Sequence, residues 1–325
     1  MGKTLFSPSF IYGVQTARPE RRYHFYGRLR RCSNFATGQP RLNVIPRDQH
    51  CISRKNISDS ALKVMSRLRN KGYQAYLVGG AVRDVLLGGH PKDFDIATDA
   101  TPEAVHGLFR NSRIIGRRFR IVHVRFGREI IEVTTFRGHH ENGDQESTEK
   151  SGNHSRQSAS GLLLRDNVYG TLEEDAARRD LTVNALYYDA GKFEVFDHVH
   201  GLDDLKRRSI RVIGDPAVRF REDPVRMLRV LRFAAKLDFS IEQQTARAIP
   251  GCARLLAEIP AARLFDEFLK LFLSGHAAAT MEQLLKHDLL QYLFPESNDC
   301  LHRDEHALAL VRAAMGNTDQ RIAQD

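Results

Sequence analysis

The 325-residue chain is poor in cysteine, and its four, Cys32, Cys51, Cys252 and Cys300, are scattered without a Cys-x-x-Cys pair. That argues against a zinc site and fits a reducing cytosol. No apolar run approaches the length that spans a bilayer, so membrane insertion is not expected. Neither Gly-x-x-x-x-Gly-Lys-Ser/Thr nor Gly-x-Gly-x-x-Gly occurs, which disfavours P-loop ATPase and kinase readings. No internal repeat is evident. The first fifty residues are short of acid: Arg18, Arg21, Arg22, Arg28, Arg30, Arg31, Arg41 and Arg47 face only Glu20 and Asp48. They also lack clear periodicity, and Pro19, Pro40 and Pro46 would break an amphipathic helix. Residues 1–52 therefore read as a basic, poorly ordered extension. A basic arm or an overlong gene start fits it better than a targeting leader.

What is present describes a soluble globular protein of two or three domains, 42% hydrophobic and 27% charged. The net charge of +9 favours a polyanionic partner such as RNA. Helical spacing starts after Ser58, a plausible N-cap, with Ala61, Leu62, Met65 and Leu68 on one face. A strand over 75–78 leads into a glycine turn and a short helix through Leu87, and a strand carrying Asp93 follows. Thr101-Pro102 starts a helix to about Phe109. Residues 121–126 and 129–136 form a hairpin across Gly127-Arg128, so the sheet is mixed. Residues 139–160 are polar and read as a mobile insertion. Beyond it the spacing predicts helix over 171–189, a strand over 193–196 and a turn of helix over 202–208. From Phe220 strand signals disappear and amphipathic helices dominate. The fold class is thus α+β, a mixed-sheet head followed by an all-helical part.

The chemistry concentrates in short boxes. Gly79-Gly80, at a strand-to-helix turn, offers backbone N–H groups to a phosphate. Asp93-Phe94-Asp95 on the next strand puts two carboxylates on one face by period-two alternation, with Phe94 and Ile96 behind them in the core. Mg²⁺ is commonly held by one or two carboxylates and the substrate's phosphates, and two such ions serve phosphoryl displacement. Glu132, on a strand beside the Asp pair, is either a solvated side chain or the completion of a carboxylate cluster. The run Ile114-Ile115-Gly116-Arg117-Arg118-Phe119-Arg120-Ile121-Val122-His123 is a basic loop or a phosphate and RNA contact. In Glu173-Glu174-Asp175-Ala176-Ala177-Arg178-Arg179-Asp180, an ion-pair ladder competes with a role for Arg179 at a triphosphate and Asp175 in support of metals or arginines. Asp223, Arg226, Arg229 and Arg232 recur every third residue beside the inward stripe of Val225, Leu228, Leu231 and Ala235. They form a solvated face, or acceptor and donors for a base edge with arginines left for phosphates.

With these boxes in this order over 53–295, the sequence resembles nucleotidyltransferases of the polymerase-beta superfamily. The resemblance lies within the branch shared by bacterial poly(A) polymerases and class II CCA-adding enzymes. The Ile-Ile-Gly-Arg-Arg-Phe-Arg-Ile-x-His signature and Phe136-Arg137-Gly138-His139-His140 before a polar insertion point to the poly(A) polymerases. The resemblance implies a catalytic head over 53–208, a helical nucleotide-reading and RNA-binding neck over 209–295, and the truncated start of a helical body over 296–325. It implies that Asp93 and Asp95 bind Mg²⁺ as a two-ion site, with Mn²⁺ as an alternative, and that Gly79, Gly80, Arg83 and Arg179 hold sugar and phosphates. It further implies that Asp223 and Arg226 read the base, with Arg229 and Arg232 beside them. Asp175 matches a third catalytic acid, and Glu132 competes for that role. The expected reaction is template-independent AMP transfer from ATP to RNA 3′ ends in the cytoplasm, with weak primer affinity from the shortened body. CCA addition to tRNA is the near alternative, and a non-catalytic RNA-binding remnant the distant one.

Overall fold

The structure is a computed structural model that describes residues 42–116, 120–138, 156–157, 163–165 and 168–324. The basic segment up to residue 41, Arg117-Arg118-Phe119, His139-His140 and most of the polar insertion lie outside the described residues.

Strands β1 (Asn43–Ile45), β2 (Ala75–Val78), β3 (Asp95–Thr98), β4 (Ser112–Ile115), β5 (Ile121–Phe126) and β6 (Glu129–Thr135) come first in the chain. A two-stranded ribbon follows, β7 (Arg156–Gln157) with β8 (Leu163–Arg165), and then β9 (Leu186–Asp189) and β10 (Glu194–Asp197). Eight of these make one sheet in the order β1-β10-β9-β2-β3-β6-β5-β4. Within this sheet, among the described residues, only β3 and β6 pair in parallel.

Alternation gives the sheet two unlike faces. Leu77, Ile96, Val122, Val124, Ile131, Val133, Leu186 and Tyr188 belong to the main core. Helices α1 (Asp59–Asn70), α2 (Gly80–Leu86) and α3 (Pro102–Leu108) cover that face with Val64, Met65, Leu68, Val82 and Val105. Their starts follow local capping chemistry: Ser58 and Thr101 each accept a hydrogen bond from the backbone N–H three residues on, and Pro102 opens α3. The opposite face carries Asp95, Glu132 and His123, with a smaller cluster of Val78, Ala97, Phe136 and Tyr187 beneath Ala176 of α4 (Leu172–Arg178).

The helical part runs from α5 (Gly201–Arg207) and α6 (Pro216–Glu222) through α7 (Val225–Leu237), α8 (Gln243–Cys252), α9 (Ala261–Phe272) and α10 (Ala277–Lys286). It ends with α11 (Leu290–Leu293), α12 (Pro295–Arg303) and α13 (Glu305–Gln324). In α7 the expected stripe of Val225, Leu228, Leu231 and Ala235 is buried. Contacts from α6 and α7 help to fasten this part to the head. Arg229 Nε donates to Asp180 Oδ2 at 2.7 Å, Arg219 donates to the Arg179 carbonyl at 2.8 Å, and the Arg83 guanidinium lies 5.1 Å from the Phe233 ring centre.

Four expectations need correction. The helix expected over 171–189 stops at Arg178. Arg179 turns to extended backbone, Asp180 accepts from the Leu181 N–H, and Leu186-Tyr187-Tyr188-Asp189, buried throughout, enters the sheet as β9. Aromatic residues buried on both faces suit a central strand better than a one-sided helix. Asp93 precedes β3 and is not on the strand; Phe94 and Ile96 are buried as expected. The extension read over 1–52 gives way to structure by Asn43, because β1 pairs with β10 and Ile45 and Ile52 are buried in the core. Strand signals do not end at Phe220: β11 (Ser209–Ile210) pairs in parallel with β12 (Ser240–Ile241).

Candidate active site

The site begins with one backbone conformation. Gly79, between β2 and α2, has φ 78° and ψ −137°, a region that side-chain-bearing residues rarely enter. A Cβ there would lie 3.6 Å from Asp95 Oδ2 and 3.9 Å from Arg179 Nη1. The glycine turn, the first carboxylate of β3 and the Arg179 guanidinium therefore meet at one point.

The carboxylates gather by strand pairing. Asp95 is opposite Val78 of β2 on one side and Glu132 of β6 on the other. Glu132 is in turn opposite His123 of β5, and His123 Nε2 is 3.1 Å from Glu132 Oε1. The Asp95 carboxyl is raised to about 6, chiefly by burial, with Glu132 and Asp93 acting in the same direction and Arg179 opposing them. The three carboxylates thus lie close enough to feel one another's charge.

Arg179 is aimed from below. Asp175 Oδ2 accepts from Arg179 Nε at 3.2 Å and Nη2 at 3.1 Å, and the Tyr187 hydroxyl donates to the same oxygen at 2.6 Å. Tyr187 also accepts from Arg179 Nε at 2.8 Å, and Asp175 Oδ1 takes the Arg137 backbone N–H at 3.2 Å. Asp175 is only 6% exposed and is absent from the lining of the cavity that holds Asp93, Asp95 and Glu132. The expected third acid is therefore occupied with Arg179, and the carboxylate beside Asp95 is Glu132.

Arg83, unlike Asp175, lines the same cavity as Gly79, Gly80 and Arg179, but it is held by its neighbours. It is 2% exposed, its Nε donates to Asp84 at 2.8 Å, and its Nη1 donates to Asn184 at 2.5 Å. A Cβ at Gly80 would be 3.4 Å from its Nη2. Arg83 thus supports the glycine turn from inside, with most of its donors already engaged.

A cavity of about 1720 Å³ opens between the carboxylate face of the sheet and the helical part. Gly79, Gly80, Asp93, Asp95, Glu132 and Arg179 line one wall; Arg229, Arg232 and Lys236 of α7 line the facing one. The Arg232 Nε atom is buried without a hydrogen-bond partner among the described residues. Arg229 is engaged by Asp180: burial pushes that carboxyl up, but the guanidinium and the Leu181 N–H outweigh it and hold Asp180 at about 2. Asp223 and Arg226 sit outside this lining, at the start of α7. Arg226 lies about 9 Å along the helix from Arg232. Arg226 donates to Glu222 at 2.8 Å and to the Arg219 carbonyl at 2.9 Å. Asp223 Oδ2 accepts from Arg263 of α9 at 2.7 Å, whereas Oδ1 is buried without a partner among the described residues.

Sequence reasoning missed Asp180, Asn184, His123 and Lys236 as lining residues. Lys236 lies one turn beyond Arg232, so extending that arginine stripe would have found it. His123 stood inside a recognised box, and Asn184 lay four residues past the end of another, with nothing local to mark either.

Comparison with known proteins bears on the same segments. Residues 75–211 match the family described as the poly(A) polymerase head domain, and 238–301 that described as the probable RNA- and SrmB-binding site of polymerase A. The chain is 52% identical over 292 residues to poly(A) polymerase I of Salmonella typhimurium, covering 89% of this chain and 62% of that protein. It is 39% identical over 233 residues to a CCA-adding enzyme of Bacillus pumilus, covering 72% and 54% respectively. Among solved structures, it resembles the CCA-adding enzyme of Bacillus stearothermophilus in complex with CTP. That match has a TM-score of 0.61 and 35% identity, covering 74% of this chain and 55% of that one. The chain thus spans about 62% of the length of the curated poly(A) polymerase it matches.

Proposed function

This chain belongs to the nucleotidyltransferase family that bacterial poly(A) polymerases share with CCA-adding enzymes, and from that membership we propose that it transfers AMP from ATP to RNA 3′ ends without a template. The observation that carries the reading is the convergence of the Gly79 turn, Asp95 and Arg179 on one point of a cavity walled by the α7 cations. In the reaction the RNA 3′-hydroxyl oxygen attacks the ATP α-phosphorus. The bond from that phosphorus to the bridging oxygen breaks, and pyrophosphate leaves.

The donor set suits a hard divalent cation. Asp93, Asp95 and Glu132 offer carboxylate oxygens, and burial together with Glu132 and Asp93 raises the Asp95 carboxyl more than Arg179 lowers it, so a cation beside it would relieve its charged form. Among the described residues no three His, Cys, Asp or Glu side chains converge closely enough to cage an ion alone. Asp93, Asp95 and Glu132 would share Mg²⁺, or Mn²⁺ in its place, with the nucleotide's phosphates and water. The bound cations would supply activation of the 3′-hydroxyl and neutralisation of the leaving group.

The chain's own groups do the rest. Backbone N–H groups at Gly79-Gly80 and the Arg179 guanidinium face the triphosphate, with Arg232 and Arg229 opposite. Asp175 and Tyr187 hold Arg179 in place, and Arg83 and Asn184 stiffen the turn. Asp223 and Arg226 read the base: the unpartnered Asp223 Oδ1 is an acceptor for an exocyclic amino group, and its mate is anchored by Arg263. No described helix is long and apolar enough to cross a membrane.

Extension of an RNA primer with each NTP supplied separately tests the reading. ATP alone should be incorporated, and the Asp93→Ala/Asp95→Ala variant should lose extension while keeping its melting temperature within a few degrees. Extension of a tRNA lacking its terminal CCA with CTP alone would instead support the CCA-adding reading, and activity retained in the double variant would sink both.

A further inference from the structure

Asp95, Glu132 and His123 stand level with one another on three adjacent strands, β3, β6 and β5, and all three line the cavity. Of this row, Glu132 is the member whose aim its own strand does not secure. Its side chain is 46% exposed, so packing fixes it weakly, and Asp95 beside it repels a second negative charge. Among the described residues its side chain makes one hydrogen bond, with His123 Nε2 at 3.1 Å from Oε1. His123 is better held, 27% exposed on the central part of β5 between buried Val122 and Val124.

We propose that His123 is a positioning residue for the carboxylate cluster. With Nε2 protonated, its N–H donates to Glu132 Oε1, restricts the carboxylate's rotation, and leaves Oε2 for the cavity beside Asp95. Carboxylates that serve cations are themselves commonly hydrogen-bonded, and loss of such a partner typically costs 10–100-fold in metal affinity or activity. A side chain spaced one strand beyond Glu132 reaches that carboxylate without entering the space around Asp95. Its role needs no change of protonation, only a fixed donor.

The inference rests on the nucleotidyl-transfer reading, and the test separates the two. Wild type, His123→Leu, His123→Asn and His123→Gln are compared in the full chain. Leu keeps bulk without a donor, Asn keeps polarity but is too short to reach Glu132, and Gln can present an amide N–H near the place of Nε2. Melting temperature reports the fold, primer extension with ATP and Mg²⁺ gives kcat and KM, and electron paramagnetic resonance of free Mn²⁺ measures cation binding in the presence of ATP.

The expected result is a kcat about 10–100-fold lower for Leu and Asn, with the KM for ATP within about threefold and Mn²⁺ binding weakened about tenfold. Gln should recover most of both losses. If His123→Leu unfolds, Asn, better suited to a half-exposed face, carries the same comparison. Variants equal to wild type would overturn the proposal, as would Gln no better than Asn, because the histidine would then matter only as packing. A wild-type chain inactive with every NTP would sink the broader reading, and Mn²⁺ binding alone would then decide the role of His123.

Discussion

Replacing Asp175 with Asn separates a catalytic acid from a support for Arg179, because the two roles move different observables. The substitution keeps the volume and one acceptor but removes the charge that two Arg179 nitrogens and the Tyr187 hydroxyl share at 3.1, 3.2 and 2.6 Å. Breaking one side of a buried ion pair costs about 3–5 kcal/mol. Arg179 retains 23% of its side-chain exposure, so water can take up some of the loss. A cost of roughly 2–3 kcal/mol remains, which is a Tm lower by about 3–5 °C for a chain of this size. In activity, a guanidinium displaced by about 1 Å can cost about 10²-fold. With Arg179 facing the nucleotide as proposed, part of that should appear as an ATP KM raised about tenfold. The assay is thermal unfolding alongside steady-state extension over a range of ATP. A Tm unchanged within 1–2 °C together with abolished extension at saturating ATP would refute the support role and return Asp175 to the chemistry.

Gly79→Ala places a Cβ at φ 78°, within 3.6 Å of Asp95 and 3.9 Å of Arg179; backbone strain of about 1–3 kcal/mol should lower the Tm, and crowding should lower extension more than it lowers primer binding by filter titration. Wild-type activity in that variant would show that the turn is not at the phosphates. For Asp180, whose folded carboxyl is held at about 2 against an ordinary value of 3.8, the stabilisation is present above about pH 4 and is lost as pH falls through about 2. The shift corresponds to roughly 2 kcal/mol, so the Tm gap between wild type and Asp180→Asn should be widest near pH 6 and should close toward pH 2. A gap independent of pH would mean that the Arg229 contact contributes nothing to stability.

Much of the chemistry was legible because it is local. Gly79-Gly80 follows a short apolar strand, Asp95 opens the next strand, and Arg179 and Asp223 sit in boxes whose residue types declare donors and acceptors over a few positions. The starts of α1 and α3 were legible for the same reason, since Ser58 and Thr101-Pro102 satisfy the first helical N–H groups from neighbouring positions. The failures share one cause. Residues 171–189 read as one helix because their periodicity is compatible with it, and only a place between β10 and β2 makes Leu186–Asp189 a strand.

That misreading also hid the site's support, because Tyr187 comes to Asp175 from β9 and not from the same helix. Glu132 and Asp95 are brought side by side by the register of the parallel β3–β6 pair, and a one-residue slip would have sent Glu132 to the core face. Arg83 and Arg229 looked equally free in sequence; burial spends the first on Asp84 and Asn184, and a contact across 49 residues ties the second to Asp180. The sequence by itself determined which charged groups, turns and helix caps this protein has, since those depend on side-chain type and near neighbours. Tertiary structure alone decided which of those groups face the cavity and which are consumed in holding the others, because strand register and burial are set by segments far apart in the chain.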